Sequence, residues 1–331
     1  MFRVLAINSP VNYILYLFFF AAALSLHWLW NPVETFTIKH SEPLSAVIFG
    51  FLDKIPYSVL ITQILGALLS LLSAISLNRT IAASKLPGAR SYSVGMIFLL
   101  LMCVHRHFTF ISPELVAVFF TIQLLNKIVV IMKEEKPRGS IFDLGFLSGI
   151  TVLFYMPSWW MLIFCYVALV VIRPFSLREW LTTLAGFIGP IFLAFSFYFW
   201  FDKQNVFLSE LINLPNFEGP DRIISVADTA GAVWLVAVFL ITALSLPRIL
   251  FTNVIQVRQF TGLLLTMFAL ILAAYFLQAK REFIHFGALC IPLSILVNTY
   301  LHSLRSAFFP EVIFVILLLG AFFIPNINLI I

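Results

Sequence analysis

Charge is scarce in this chain. Asp, Glu, Lys and Arg together make up 11% of its 331 residues. A water-soluble domain carries roughly 25%, so a body wetted on all sides is excluded. Cysteine is scarce as well. Cys103, Cys165 and Cys290 each sit inside an apolar run, with neither metal-ligand spacing nor a C-x-x-C pair. They read as buried inert thiols, because a free cysteine packs as a small hydrophobe. No P-loop, dinucleotide-binding glycine pattern, H-E-x-x-H motif or nucleophile elbow is present, which removes the common nucleotide, zinc-protease and serine-hydrolase signatures. No metal site is expected. Carboxylates deep in mid-span are missing too, which weighs against an ion-coupled transporter.

What remains is apolar. Hydrophobic residues make up 62% of the chain, and Phe alone occurs 37 times. A helix needs about 20 apolar residues to cross a ~30 Å hydrocarbon layer. On that measure the sequence predicts about eleven spans, near 10–30, 56–77, 92–109, 112–132, 141–155, 157–172, 181–201, 231–250, 260–279, 284–303 and 308–329. Backbone facing lipid must satisfy its own hydrogen bonds. The expected fold class is therefore all-α, a polytopic transmembrane helix bundle. Pro157-Ser158 implies a tight hairpin between two short spans, and 186–190, with Gly186, Gly189 and Pro190, reads as an interruption of the seventh. The first run ends at Trp28 and Trp30 and not in small residues, so it reads as a retained span and not a cleaved signal. Residues 1–331 are expected to form a single integral membrane domain with no soluble domain.

The net charge of +5 does not point to nucleic acid, because the basic residues are spread over short loops. They set orientation instead. With the N-terminus in the cytoplasm, the basic loops at 78–91, 133–140, 173–180 and 252–259 lie inside, and the C-terminus lies in the periplasm. The two longest loops, 31–55 and 202–231, then face outward. The expected location is the inner membrane of a bacterium.

Three groups of polar residues fall at predicted outer helix ends. The first is His105-Arg106-His107 with Glu114. Three consecutive residues cannot share one helix face, so a helix end or brief turn is expected there. Ser112 is a natural N-cap, Pro113 fits the first helical position, and Glu114 complements the helix dipole. This group reads either as a cationic site for a phosphate-bearing ligand oriented by Glu114, or as a helix cap with snorkelling side chains. The second is Lys280, Arg281 and His285, with Arg281 and His285 at i,i+4 spacing. It is either a second contact for the same anion or a short charged connection. The third is the loop carboxylates, of which Glu34 and then Asp53 are the candidates for a general base; solvated loop charge is the alternative. Asp143 reads as a relay carboxylate, a helix cap, or a partner of Arg138 or Arg178.

From residue 105 to 171 the pattern resembles the middle of GT-C type membrane glycosyltransferases. The marks are Arg106, then Pro113-Glu114-Leu115 and Phe119-Phe120, then Asp143-Leu144-Gly145-Phe146-Leu147-Ser148-Gly149-Ile150 and Pro157. The chain also resembles an uncharacterised family of polytopic inner-membrane proteins from Bacteroidetes. The first resemblance implies a GT-C-like architecture, a polyprenyl-phosphate-linked donor and action at the outer leaflet. By position it implies Glu34 as catalytic base and Arg106 and Arg281 on the phosphate. The chain departs from that family's pattern in its short first outer loop, its lack of a paired acid motif there, and its lack of a C-terminal soluble domain. Two other functions fit the same residues. One is a non-catalytic structural or accessory subunit of a cell-envelope complex, for secretion, motility or polysaccharide assembly. The other is a lipid or solute transporter. The expected partners are membrane lipids and envelope-complex proteins.

Overall fold

The computed structural model describes residues 12–30, 42–52, 58–89, 91–105, 108, 110–212, 226–244, 246–247, 254–277, 283–304 and 308–325. Among them the fold is helical, without a strand. The helices are α1 (Asn12–Trp30), α2 (Pro43–Leu52), α3 (Ser58–Ala82), α4 (Ser93–Met102), α5 (Pro113–Ile131), α6 (Arg138–Phe154), α7 (Trp160–Ile172), α8 (Leu177–Trp200), α9 (Gln204–Ile212), α10 (Val226–Ala243), α11 (Ile255–Phe276), α12 (Cys290–Ser303) and α13 (Phe308–Phe323). Short 3₁₀ turns, Met156–Trp159 and Phe283–Leu289, lead into α7 and α12.

Five of the described helical stretches are long and apolar enough to cross a membrane: Ile61–Ala82, Pro113–Ile131, Leu177–Trp200, Ile255–Phe276 and Phe283–Ser303. Shorter apolar helices cover Asn12–Ala22, Ser93–Met102, Met156–Ile172, Asp228–Ala243 and Phe308–Phe323. Each of the eleven expected spans holds a helix, and among the described residues five helical stretches meet the length and hydropathy of a full crossing.

The centre of the bundle is α4, in which every residue is buried, with α12 beside it. The third expected span is cut short: α4 stops at Met102 and a turn carries the chain through Cys103 to His105. Its opposite end is fixed by buried polar contacts. Ser93 donates to Asn298 Oδ1 on α12, and His302 Nε2 lies 3.2 Å from the Ser91 hydroxyl. Asn78 Oδ1 accepts from the Gly95 backbone N–H at 2.9 Å and so ties α3 to α4. Each bond satisfies a buried polar group that is costly to leave unpaired.

At the start of α5, Ser112 is extended and its hydroxyl accepts from the Leu115 N–H at 3.2 Å, with Pro113 in the first turn beside Glu114. That is the expected cap. The hairpin expected at Pro157 is the 3₁₀ turn Met156–Trp159. Two readings are corrected. The interruption expected at 186–190 does not occur, because α8 runs unbroken through Pro190. The residue four before Pro190, where a proline ring meets the preceding turn, is Gly186. The ion-pair partner of Asp143 is neither Arg138 nor Arg178 but Lys127, 2.7 Å away across the α5–α6 contact. Asp143 lies in the second turn of α6, beyond the cap.

Two helices fall in stretches read as loops. α2 and α9 pack on the end of α8, where Phe207 is buried with Leu153, Ala194 and Tyr198, and the Tyr198 hydroxyl donates to the Pro43 carbonyl at 2.7 Å.

Candidate functional site

Helix direction brings one set of termini together. The turn after α4, the start of α5, the end of α6, the start of α10, the end of α11 and the 3₁₀ turn before α12 share one end of the bundle.

His105 leaves α4 and turns inward. It is only 7% exposed. Its Nε2 lies 2.8 Å from Asp228 Oδ1 in the first turn of α10. An ionised carboxylate only accepts, so in that pairing Nε2 carries the proton and donates. The imidazole sits against Phe283 and Phe108, with ring centroids 4.6 Å and 5.4 Å away, and those two phenyl rings stack on each other. Gly231, one turn after Asp228, makes this arrangement fit. A Cβ there would stand 2.7 Å from the Phe283 ring.

Phe283 also links this pair to a pocket, because its own 3₁₀ turn carries His285 on another face. Glu114, Tyr155, Ser158, Tyr275 and His285 line a small pocket. Its walls are apolar, from Val118, Trp160, Ile271 and Ala274 among others. Tyr155 and His285 are hydrogen-bonded through the phenol oxygen and Nδ1. Tyr275 packs its ring on Phe286 at 4.3 Å and edge-on to His285 at 6.4 Å. The pocket thus presents a carboxylate, two phenols, a hydroxyl and an imidazole within a greasy frame. Such a setting suits a ligand with a polar head and an apolar remainder.

Of the residues singled out from the sequence, Glu114 and His285 share this pocket, and His105 lies behind it through Phe283. Glu34, Asp53, Arg106, His107, Lys280 and Arg281 lie outside the described residues. Sequence reasoning missed Tyr155, Ser158 and Tyr275 as lining residues, and it did not single out Asp228. The one available signal was the position of Tyr155, which precedes the Pro157 turn.

No protein-family model and no curated protein matches this sequence. Among solved structures, the crystal structure of ArnT from Cupriavidus metallidurans bound to undecaprenyl phosphate matches with a TM-score of 0.54 at 13% identity, over 93% of this chain. The chain spans 64% of the length of that protein. At this identity the likeness is one of fold, and it agrees with the GT-C resemblance read between residues 105 and 171. The chain is an integral multi-pass membrane protein built on an ArnT-like helical fold.

Proposed function

We propose that this protein is a glycosyltransferase-like membrane protein that takes a polyprenyl-phosphate-linked donor at the outer leaflet of the inner membrane. One observation carries the reading: Glu114, Tyr155 and His285, distant in sequence, line one pocket at one end of an ArnT-like bundle. In this reading the polyprenyl chain lies along the apolar walls and the phosphate meets the Tyr155 hydroxyl and the His285 imidazole. Arg106 and Arg281, each near a residue placed at this end, add positive charge, and His107 and Lys280 flank them. A carboxylate at Glu114 would repel the phosphate, so in this reading it orients the donors and cations that hold it.

Transfer then needs a base to take the proton of the acceptor hydroxyl as its oxygen bonds to the sugar C1. The bond from C1 to the phosphate oxygen breaks, and the leaving polyprenyl phosphate keeps the electron pair, stabilised by the cationic groups. Glu34 fills the base role, with Asp53 next in line.

Binding of undecaprenyl phosphate to the purified protein tests the head-group assignment. His285→Ala and Tyr155→Phe each remove one hydrogen-bonding group to a charged ligand, worth about 1.5–3 kcal/mol. Each is expected to weaken binding by roughly tenfold or more while the thermal midpoint stays near that of the wild type. Unchanged affinity in both variants removes the pocket from consideration as the phosphate site.

A further inference from the structure

We propose a second anion site at the opposite end of the bundle, one that takes the phosphate head of an anionic phospholipid. It does not rest on the donor pocket and goes beyond it. Three elements meet there: the turn after α3, the end of α5 and the first turn of α11. Between them lies a small surface pocket. Lys85 and Lys133 stand on its rim with Ser84 and Gln256, and Val129 and Phe260 help form its apolar floor.

Position comes first in the argument. Glu114 opens α5 and Lys133 lies just beyond its last residue, Ile131. At 1.5 Å per residue the two are about 28 Å apart along the helix, which is roughly the hydrocarbon thickness of a bilayer. The second pocket therefore sits at the depth of the head groups of the other leaflet. The basic loops place that leaflet on the cytoplasmic side by the positive-inside rule.

Charge comes second. Both lysines are exposed. Among the described residues neither has a carboxylate within salt-bridge distance. Next to Lys133, the Glu134 carboxylate accepts from the Ser140 hydroxyl at 3.3 Å, and the Arg173 guanidinium holds the main-chain carbonyls of Glu134 and Glu135. Lys85 is presented by an ordered turn, in which Ser84 Oγ donates to the Ile81 carbonyl at 2.7 Å and accepts from the Leu86 N–H at 3.3 Å. Two unpaired ammonium groups over an apolar floor match a ligand that is a phosphate at one end and hydrocarbon at the other. Basic pockets between helix ends on the cytoplasmic side bind acidic lipid heads on this principle.

The test is a lipid titration of the full-length protein in neutral detergent, read by mass spectrometry of the intact complex. The probes are phosphatidylglycerol, phosphatidylcholine and inorganic phosphate. Phosphatidylglycerol is expected to bind more tightly than phosphatidylcholine. Lys85→Gln and Lys133→Gln are each expected to weaken it about fivefold, and the double variant about thirtyfold. Lys136→Gln, outside the pocket, should leave binding unchanged. Competition by millimolar inorganic phosphate separates the sources. If it does not displace the lipid, the acyl chains contribute and a lipid is the occupant. If it displaces the lipid fully, the pocket takes a free anion and the lipid assignment falls. Equal binding of the two lipids, or single and double variants that bind phosphatidylglycerol as the wild type does, overturns the site altogether.

Discussion

Gly145→Val is expected to leave no stably folded protein. α6 and α8 touch backbone to backbone at this point. A Cβ on Gly145 would stand 2.0 Å from the Thr183 carbonyl oxygen, one on Gly149 would stand 2.5 Å from that of Phe187, and one on Gly186 would stand 2.3 Å from that of Phe142. No rotamer change relieves such a clash, since the obstacle in each case is main chain. The helices would have to move apart, losing the close packing that drives helix association in a bilayer, where small residues at the interface do most of the work. Overpacking of a tight core typically costs 1–3 kcal/mol even where side chains can give, and a whole domain is stable by only about 5–15 kcal/mol. The measurement is the monodisperse fraction on size-exclusion chromatography after detergent extraction. Gly262→Ala is the control, because a Cβ there meets nothing within 4 Å. The expected pattern is loss of the monodisperse peak for Gly145→Val and retention for Gly262→Ala. A Gly145→Val protein that runs and melts like the wild type would falsify this account of the α6–α8 contact.

The second large effect concerns activity. Glu34→Gln and Arg106→Ala are each expected to lower transfer from a polyprenyl-phosphate donor by about a hundredfold or more, the usual scale for losing a general base or a charge that stabilises the leaving group. His105 is the reason for assigning Arg106 to this end. It is held by Asp228 and packed against Phe283. The two variants should differ in kind. Glu34→Gln should reduce kcat with the donor KM little changed, because a base acts in the transition state. Arg106→Ala should also raise the donor KM, because the proposal puts it on the donor phosphate before transfer. Steady-state kinetics with a synthetic donor separates them. Full activity in both variants removes the transferase reading.

The parts of the structure that depend on local pattern were legible in the sequence. Runs of apolar residues gave helices in each expected stretch, and Ser112-Pro113-Glu114 gave a helix start with the cap in place. The turn at Pro157 is equally local. What failed depends on neighbours that a sequence does not name. Gly186 and Pro190 look like a break until α6 is set against them; then the same residues are the means of close contact. Asp143 had basic candidates nearby in sequence, but α5 and α6 pack side by side and Lys127 faces it. α2 and α9 are too short to register as spans, and each is stabilised by contact with the end of α8. The site shows the same limit. Glu114 and His285 could be singled out because charged or titratable groups at helix ends are conspicuous in an apolar chain. The Tyr155–His285 bond joins residues 130 apart, and the His105–Asp228 pair joins residues 123 apart. Neither separation leaves any trace in local composition.

The most direct test of the central claim, that the pocket formed by Glu114, Tyr155 and His285 receives a lipid phosphate, is a density map of the full-length protein purified with undecaprenyl phosphate. The account predicts the phosphate within hydrogen-bonding reach of Tyr155 and His285, with the chain leaving along Val118, Trp160 and Ile271. A head group found instead only between Lys85 and Lys133, or a pocket filled by protein side chains from the remainder of the chain, contradicts it.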